Sequence, residues 1–287
     1  MQLGRLGVWY SMDKLGSGQQ IKSFAATVER LGYDTLWYPE SRGYESFSVA
    51  AFVLGNTSKL KLGSSIASIY ARVAFTSRRG MISLNELYGD RFILGLGVSH
   101  APMVEGIRGH TYQKPVPIMR DYIDAMCKGE SGTDDWPLAI AALRPLMLKL
   151  SASKTRGALP YNTTPEHTAK AAKLLGKGKW LVAEQKVCLE TDAAKARALG
   201  RKELARYMTL DNYRNNWLEI GFTDAELANG GSDRFIDAMV LWGDAAKVKQ
   251  GLRAHFSAGA THVCIQPVHA EGDTAARDRV LSQLADT

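Results

Sequence analysis

Short apolar runs rich in Val, Ile and Leu alternate with longer segments of helical period from one end of the chain to the other. This alternation constrains the fold more than any other feature. A short run of that kind makes a strand, and an intervening stretch with apolar positions three and four apart makes a helix that packs back over the sheet. Eight candidate strands stand in order, at residues 3–10, 34–38, 60–67, 91–97, 138–142, 157–159, 180–190 and 261–268. Eight strands separated by crossover helices are what a closed (β/α)8 TIM barrel requires, so the fold class reads as α/β of that type.

The helices carry their own punctuation. Ile21, Phe24, Ala25, Val28 and Leu31 repeat at helical spacing before Gly32, and Phe256 and Ala258 lead to Gly259 in the same way, so both glycines read as helix stops. Thr164-Pro165-Glu166 places a proline in the first turn after a threonine cap, and Asp192 opens the run AAKARAL. No linker, low-complexity stretch or short repeat divides residues 1–287, which read as one domain. The irregular part is 209–243, where Gly221, Gly230, Gly231 and Gly243 punctuate short helical pieces too long for a simple connection. It reads as a helical insertion after the seventh strand, suited to lid the site or form a subunit contact, with Tyr213, Trp217, Phe222, Phe235 and Trp242 supplying mostly a small core of its own.

At 45% hydrophobic and 23% charged residues the chain can bury one sizeable core. Its 36 Lys and Arg against 29 Asp and Glu give +7, but the basic residues are scattered and no nucleic-acid motif accompanies them. Cys127, Cys188 and Cys264 are too far apart for a metal or redox pair and read as small buried apolar residues. No apolar run approaches membrane-spanning length and no leader-like segment opens the chain, so a soluble, cytoplasmic protein is expected.

In a barrel the chemistry belongs to the loops that follow the strands. Those positions hold Tyr10 and Asp13, Glu40 and Arg42, Ser68, Tyr70 and Arg72, Ser99, His100 and Glu105, Leu143 and Arg144, Tyr161 and Asn162, Glu190, and Gln266 and His269. Gly95 and Gly97, leaving the fourth strand, suit either a ligand approaching the backbone or tight packing inside the barrel. Ser64, Ser65 and Ser68 suit a ligand contact or ordinary turns. His100, His110 and His269 lack metal-ligand spacing, so no metal is expected. The sequence has no GxSxG elbow, P-loop or HExxH, which leaves hydrolase and kinase chemistry without support. Nor does a lysine follow any candidate strand facing inward, which sets aside a Schiff-base lyase.

The string NELYGDRFILGLGVSH at 85–100 resembles the helix-to-fourth-strand signature of the luciferase-like superfamily. ERLGYDTLWYPE resembles the family's first helix and second strand, TSKLKLGSSIASIYAR its third strand, RGALPYNTTPEHTAKA its sixth strand and helix, and GATHVCIQPV its last. GLGVSHAPMVEGIRGHTYQKPVPIMRDYIDAM is most similar to the branch that uses the deazaflavin coenzyme F420.

The resemblance implies a non-prolyl cis peptide at Ser65-Ile66 forming a bulge behind a tricyclic ring. The ring would rest near Pro39, Glu40, Ser65, Ile66 and Ala67, with the ribityl chain near Gly97, Val98 and Ser99. The phosphate end would fall near Ala142 and Leu143 and near Leu159, Pro160 and Tyr161. At Ala141-Ala142-Leu143 the chain departs from the family, which commonly has glycines there. Glu40, His100 and His269 are the candidates for acid or base above the ring. The implied activity is hydride transfer between F420 and a small organic substrate, and the implied assembly a homodimer. The alternatives are an FMN-dependent monooxygenase served by a separate reductase, or a barrel that binds flavin without turnover.

Overall fold

A computed structural model of residues 1–287 contains ten strands: β1 (Leu6–Trp9), β2 (Thr35–Tyr38), β3 (Lys61–Ser64), β4 (Ala67–Ser68), β5 (Phe92–Gly97), β6 (Leu138–Ile140), β7 (Gly157–Ala158), β8 (Trp180–Cys188), β9 (Val240–Trp242) and β10 (His262–Pro267). Every pairing between them is parallel, and β10 pairs with both β8 and β1, so the sheet closes on itself. The expected third strand is two short strands, β3 and β4, separated by a cis Ser65-Ile66 peptide.

Alternation along the strands separates two cores. Trp9, Trp37, Ile93, Leu159, Trp180 and Val182 fill the barrel interior, while Val8, Leu36, Leu62 and Ala183 face the surrounding helices. Gly63 shows why some interior positions tolerate no side chain: a Cβ there would stand 2.3 Å from the Trp37 ring. The sequence-level helix signals hold. Thr164 and Asp192 accept hydrogen bonds from His167 N and Lys195 N, and Gly32 and Gly259 adopt φ of +85° and +103°.

Two features depart from the sequence-based expectation. The extra segment begins earlier than 209, because helix Ala193–Met208 does not run back along the barrel wall. It crosses the rim, where Glu203 reaches Lys14 after β1 and Lys202 reaches Glu271 after β10. The true return helix is Ala245–Ser257, whose Val248 and Leu252 join the main core. Nor is the segment wholly helical. Helices Asp211–Glu219, Asp224–Leu227 and Asp233–Met239 lead into β9, which pairs with the upper end of β8 on the edge that β10 leaves free. Its aromatics do form a separate core: Tyr213, Trp217, Phe222 and Phe235 are buried together, with Trp242 half-buried against them.

The second departure is Lys186. On β8 it shares the interior face with Val182 and Glu184, so an inward lysine does exist. No helix is long and apolar enough to cross a membrane.

Candidate active site

The C-terminal ends of the strands open into a cavity of about 1210 Å³. One wall is the break between β3 and β4, from which Ser65 and Ile66 line the space. Backbone pairing holds this wall on both sides: Ser65 N donates to Tyr38 O at 2.6 Å and Glu40 N to Ile66 O at 3.1 Å. Behind it Gly97 lies so close that a Cβ would meet Ile66 Cγ1 at 2.4 Å. Gly97, Val98 and Ser99 continue the wall, with Ser99 at φ +58°. The Ser64 hydroxyl bonds Gly95 O and N and is structural. Gly95 likewise answers packing, since its Cβ would meet Ser64 O at 2.0 Å.

The sequence-derived candidates divide on position. Pro39, Glu40, Ser65, Ile66, Gly97, Val98, Ser99, His100, Leu143, Leu159 and Tyr161 line the cavity. Ala67 and Ala142 are buried behind its wall, Pro160 does not line it, and His269 is absent from it. His269 instead sits against Tyr10, whose hydroxyl is 3.4 Å from its Nε2; Tyr10 packs outward on Phe24. No three or more His, Cys, Asp and Glu side chains are grouped so as to hold a metal ion.

Glu40 reaches the cavity with both oxygens engaged. Oε2 accepts from Ser68 N at 2.8 Å and from Arg72 Nη1 at 3.1 Å, while Oε1 takes Arg72 Nη2 and, more weakly, Ser46 N. A carboxylate held in this way clasps the β3–β4 break and has no lone pair turned to a substrate. His100 is freer. It makes no side-chain cap bond at the start of helix Ala101–Gly106, its ring lies 5.6 Å from that of Tyr213, and burial lowers its pKa. Burial thus favours the neutral imidazole, which can accept one hydrogen bond and donate another.

Sequence reasoning did not find Trp9, Arg206, Tyr207 and Tyr213, all of which line the cavity. Trp9 is an interior residue whose buried indole N–H has no partner within the protein. The other three come from the rim-crossing helix, which the sequence presents as an ordinary crossover, and from the segment after it, whose place as a lid was open but whose aromatics read mostly as a core of their own. Beneath them lies the Lys186–Glu184 pair, 3.1 Å apart and almost wholly buried. Lys186 Nζ also donates to Asn162 Oδ1 at 2.5 Å and stands 4.1 Å from the Tyr161 ring centre. Burial pulls the lysine pKa down and the glutamate pKa up, each opposed by the other's charge. Lys186 does not line the cavity, so it offers no amine to a carbonyl substrate there.

The fold has close relatives among solved structures. An F420-dependent secondary alcohol dehydrogenase in complex with an F420-acetone adduct superposes with a TM-score of 0.74 at 14% identity, covering 99% of both chains. The oxygenating constituent of 3,6-diketocamphane monooxygenase from the CAM plasmid of Pseudomonas putida, in complex with FMN, gives 0.72 at 12% identity, covering 99% of this chain and 97% of that one. A Mycobacterium tuberculosis protein provisionally named a coenzyme F420-dependent oxidoreductase is 34% identical over 125 residues, which are 43% of this chain and 35% of that relative. The model of the luciferase-like monooxygenase family matches residues 4–262. The chain belongs to that family.

Proposed function

We propose that this chain is an F420-dependent oxidoreductase that moves hydride between the deazaflavin and a small organic substrate, and that it works as a homodimer. The observation that carries the redox reading is the wall at Ser65 and Ile66, held by backbone bonds to Tyr38 and Glu40 and facing a cavity large enough for a tricyclic cofactor and a second molecule. The residues fit such a group. Ser65, Ile66 and Pro39 would back the ring, and Gly97, Val98 and Ser99 would follow the ribityl chain. The phosphate end would lie by Leu143 and the first turn of helix Pro145–Lys154, whose amides have no side-chain cap.

When bound, the deazaflavin supplies a two-electron hydride carrier, and the protein supplies orientation and exclusion of water. His100 is the neutral group best placed to hold or pass a proton at the substrate, and Glu40 fixes the wall. Exposed Phe52, Val73 and Phe75, on and beside the neighbouring helices Ser46–Gly55 and Ala74–Tyr88, favour the dimer.

A second reading keeps the barrel and replaces the cofactor by reduced FMN and oxygen, with a partner reductase supplying electrons. The FMN-bound neighbour, almost as similar in fold as the F420-bound one, keeps it in view. Fluorescence titration with oxidised F420 and with FMN separates the two. Tight binding of F420 with weak FMN binding is expected, whereas tight FMN binding alone, accompanied by oxygen consumption, refutes the F420 assignment. Light scattering on the eluted protein tests the dimer, which a monomer mass would refute.

A further inference from the structure

The charged side chains around the cavity are mostly neutralised in place. Arg72 closes Glu40, Glu219 closes Arg144 at 2.9 Å, and Glu203 meets Lys14 at 3.4 Å. Arg206 has no carboxylate within 4.0 Å, although it lines the cavity. Arg42, also on the cavity, shares that lack but its side chain makes no hydrogen bond, whereas Arg206 is held by a chain of them.

Glu203 Oε1 accepts from Gln266 Nε2 at 2.8 Å, which fixes the amide so that Gln266 Oε1 accepts from the Tyr161 hydroxyl at 2.7 Å. The Tyr161 oxygen, its proton committed, then accepts from the Tyr207 hydroxyl at 2.8 Å. The Tyr207 oxygen in turn accepts from Arg206 Nη2. The guanidinium also lies over the Tyr207 ring, 4.5 Å from its centre, while Lys186 Nζ stands 5.4 Å from the same ring. Both phenolic protons are spent inside the chain. Among the donors left free at this wall are the Nη1 and Nε hydrogens and the second Nη2 hydrogen of a positioned guanidinium with no carboxylate in contact, next to Leu210 and the Tyr213 ring.

We propose that Arg206 is the specificity residue for the substrate and that it receives an oxyanion, a carboxylate carried on an apolar body. A planar guanidinium binds a carboxylate through two parallel N–H bonds, which a point charge cannot reproduce. The redox reading says what happens next to that carboxylate, but its binding does not depend on it. The cofactor's own phosphate and acidic tail share the oxyanion chemistry. They are assigned to the loop after β6, across the mouth from the loops after β1 and β10 that hold the helix of Arg206, and because Tyr161 stands between the two places the F420 and riboside arms of the test tell the two sources apart.

The test uses the full-length protein and calorimetric titration with benzoate, benzyl alcohol serving as its neutral counterpart. Benzoate is expected to bind at least tenfold more tightly than the alcohol. Arg206→Gln is expected to abolish that preference, Arg206→Lys to keep part of it, and Tyr207→Phe, which removes the guanidinium's acceptor, to weaken benzoate severalfold. F420 and its phosphate-free riboside should bind Arg206→Gln as they bind the parent. No preference for benzoate in the parent protein, or an Arg206→Gln protein of unchanged melting temperature that still prefers it, overturns the proposal. A loss of F420 affinity in Arg206→Gln with riboside affinity intact also overturns it, because the cofactor's tail then occupies the arginine. If neither F420 nor FMN binds the parent while benzoate discriminates through Arg206, the redox reading fails and the anion seat stands.

Discussion

Replacing Glu40 by glutamine separates a structural carboxylate from a catalytic one. The Glu40 and Arg72 side chains are only 4% and 7% exposed, and their bidentate pairing is joined by Ser68 N at 2.8 Å. Glutamine keeps one acceptor but turns an N–H donor toward the guanidinium, leaving Arg72 to Glu45 alone, a residue 48% exposed. Breaking a buried pair costs about 3–5 kcal/mol, and the surviving Glu45 contact brings the expectation to about 3 kcal/mol. Unfolding entropy of about 2.1 cal/mol/K per residue gives about 0.6 kcal/mol/K over 287 residues, so the melting temperature should fall by about 5 °C. Loosening the clasp should also weaken F420 measurably in a fluorescence titration. The Glu40→Gln/Arg72→Met double variant should recover part of the lost stability, because it leaves no buried charge unpaired. If Glu40→Gln melts and binds cofactor like the parent but fails to turn over, the carboxylate is a catalytic group and the clasp argument is wrong.

Gly97→Ala places a methyl against Ile66 at 2.4 Å and should cost about 1–3 kcal/mol by overpacking, with F420 affinity falling in the same titration. Unchanged binding would mean that the wall can retreat. His255 and His262 are buried, and burial pushes both pKa values down to about 4 from 6.5, against the pull of Glu166 on the first and of Gly4 O and Asp34 on the second. Because the unfolded chain takes up these protons first, their contribution is complete above pH 6.5 and is lost as pH falls from there toward 4, by up to about 3 kcal/mol for each. Melting curves between pH 7 and 4 should show this decline, flattened in His255→Gln; identical slopes would refute the assignment for His255. Lys186→Met strands the buried Glu184 and should cost about 3–5 kcal/mol, with Glu184→Gln/Lys186→Met less destabilised in urea titrations than the single variant. A double variant no better than the single would remove the charge argument.

The barrel was legible because its signal is repeated and local. Short strand runs alternate with helical stretches throughout, stops at Gly32 and Gly259 and caps at Thr164 and Asp192 mark some of the boundaries, and closure needs only that eight such units follow one another. The β3–β4 wall was visible through resemblance alone, since the residues LGSSIA have no periodicity that reports a break between Ser64 and Ala67. What escaped was set by direction rather than by composition. Asp192 caps a helix of ordinary appearance, and nothing in AAKARAL says whether that helix descends the barrel or crosses its mouth. The choice is made by partners far away in sequence: Lys14 and Gln266 for Glu203, and Asp237 for Arg197. Once the helix crosses, Arg206 and Tyr207 at its end arrive over the cavity, and the interior pair Glu184 and Lys186, which in a strand read from sequence is polar and out of place, becomes a buried charged layer behind Tyr161 and Tyr207. A polar pair two residues apart on a barrel strand was therefore the available sign that the rim above it is built for charge, because an interior of tryptophan and valine alone would have no use for either residue.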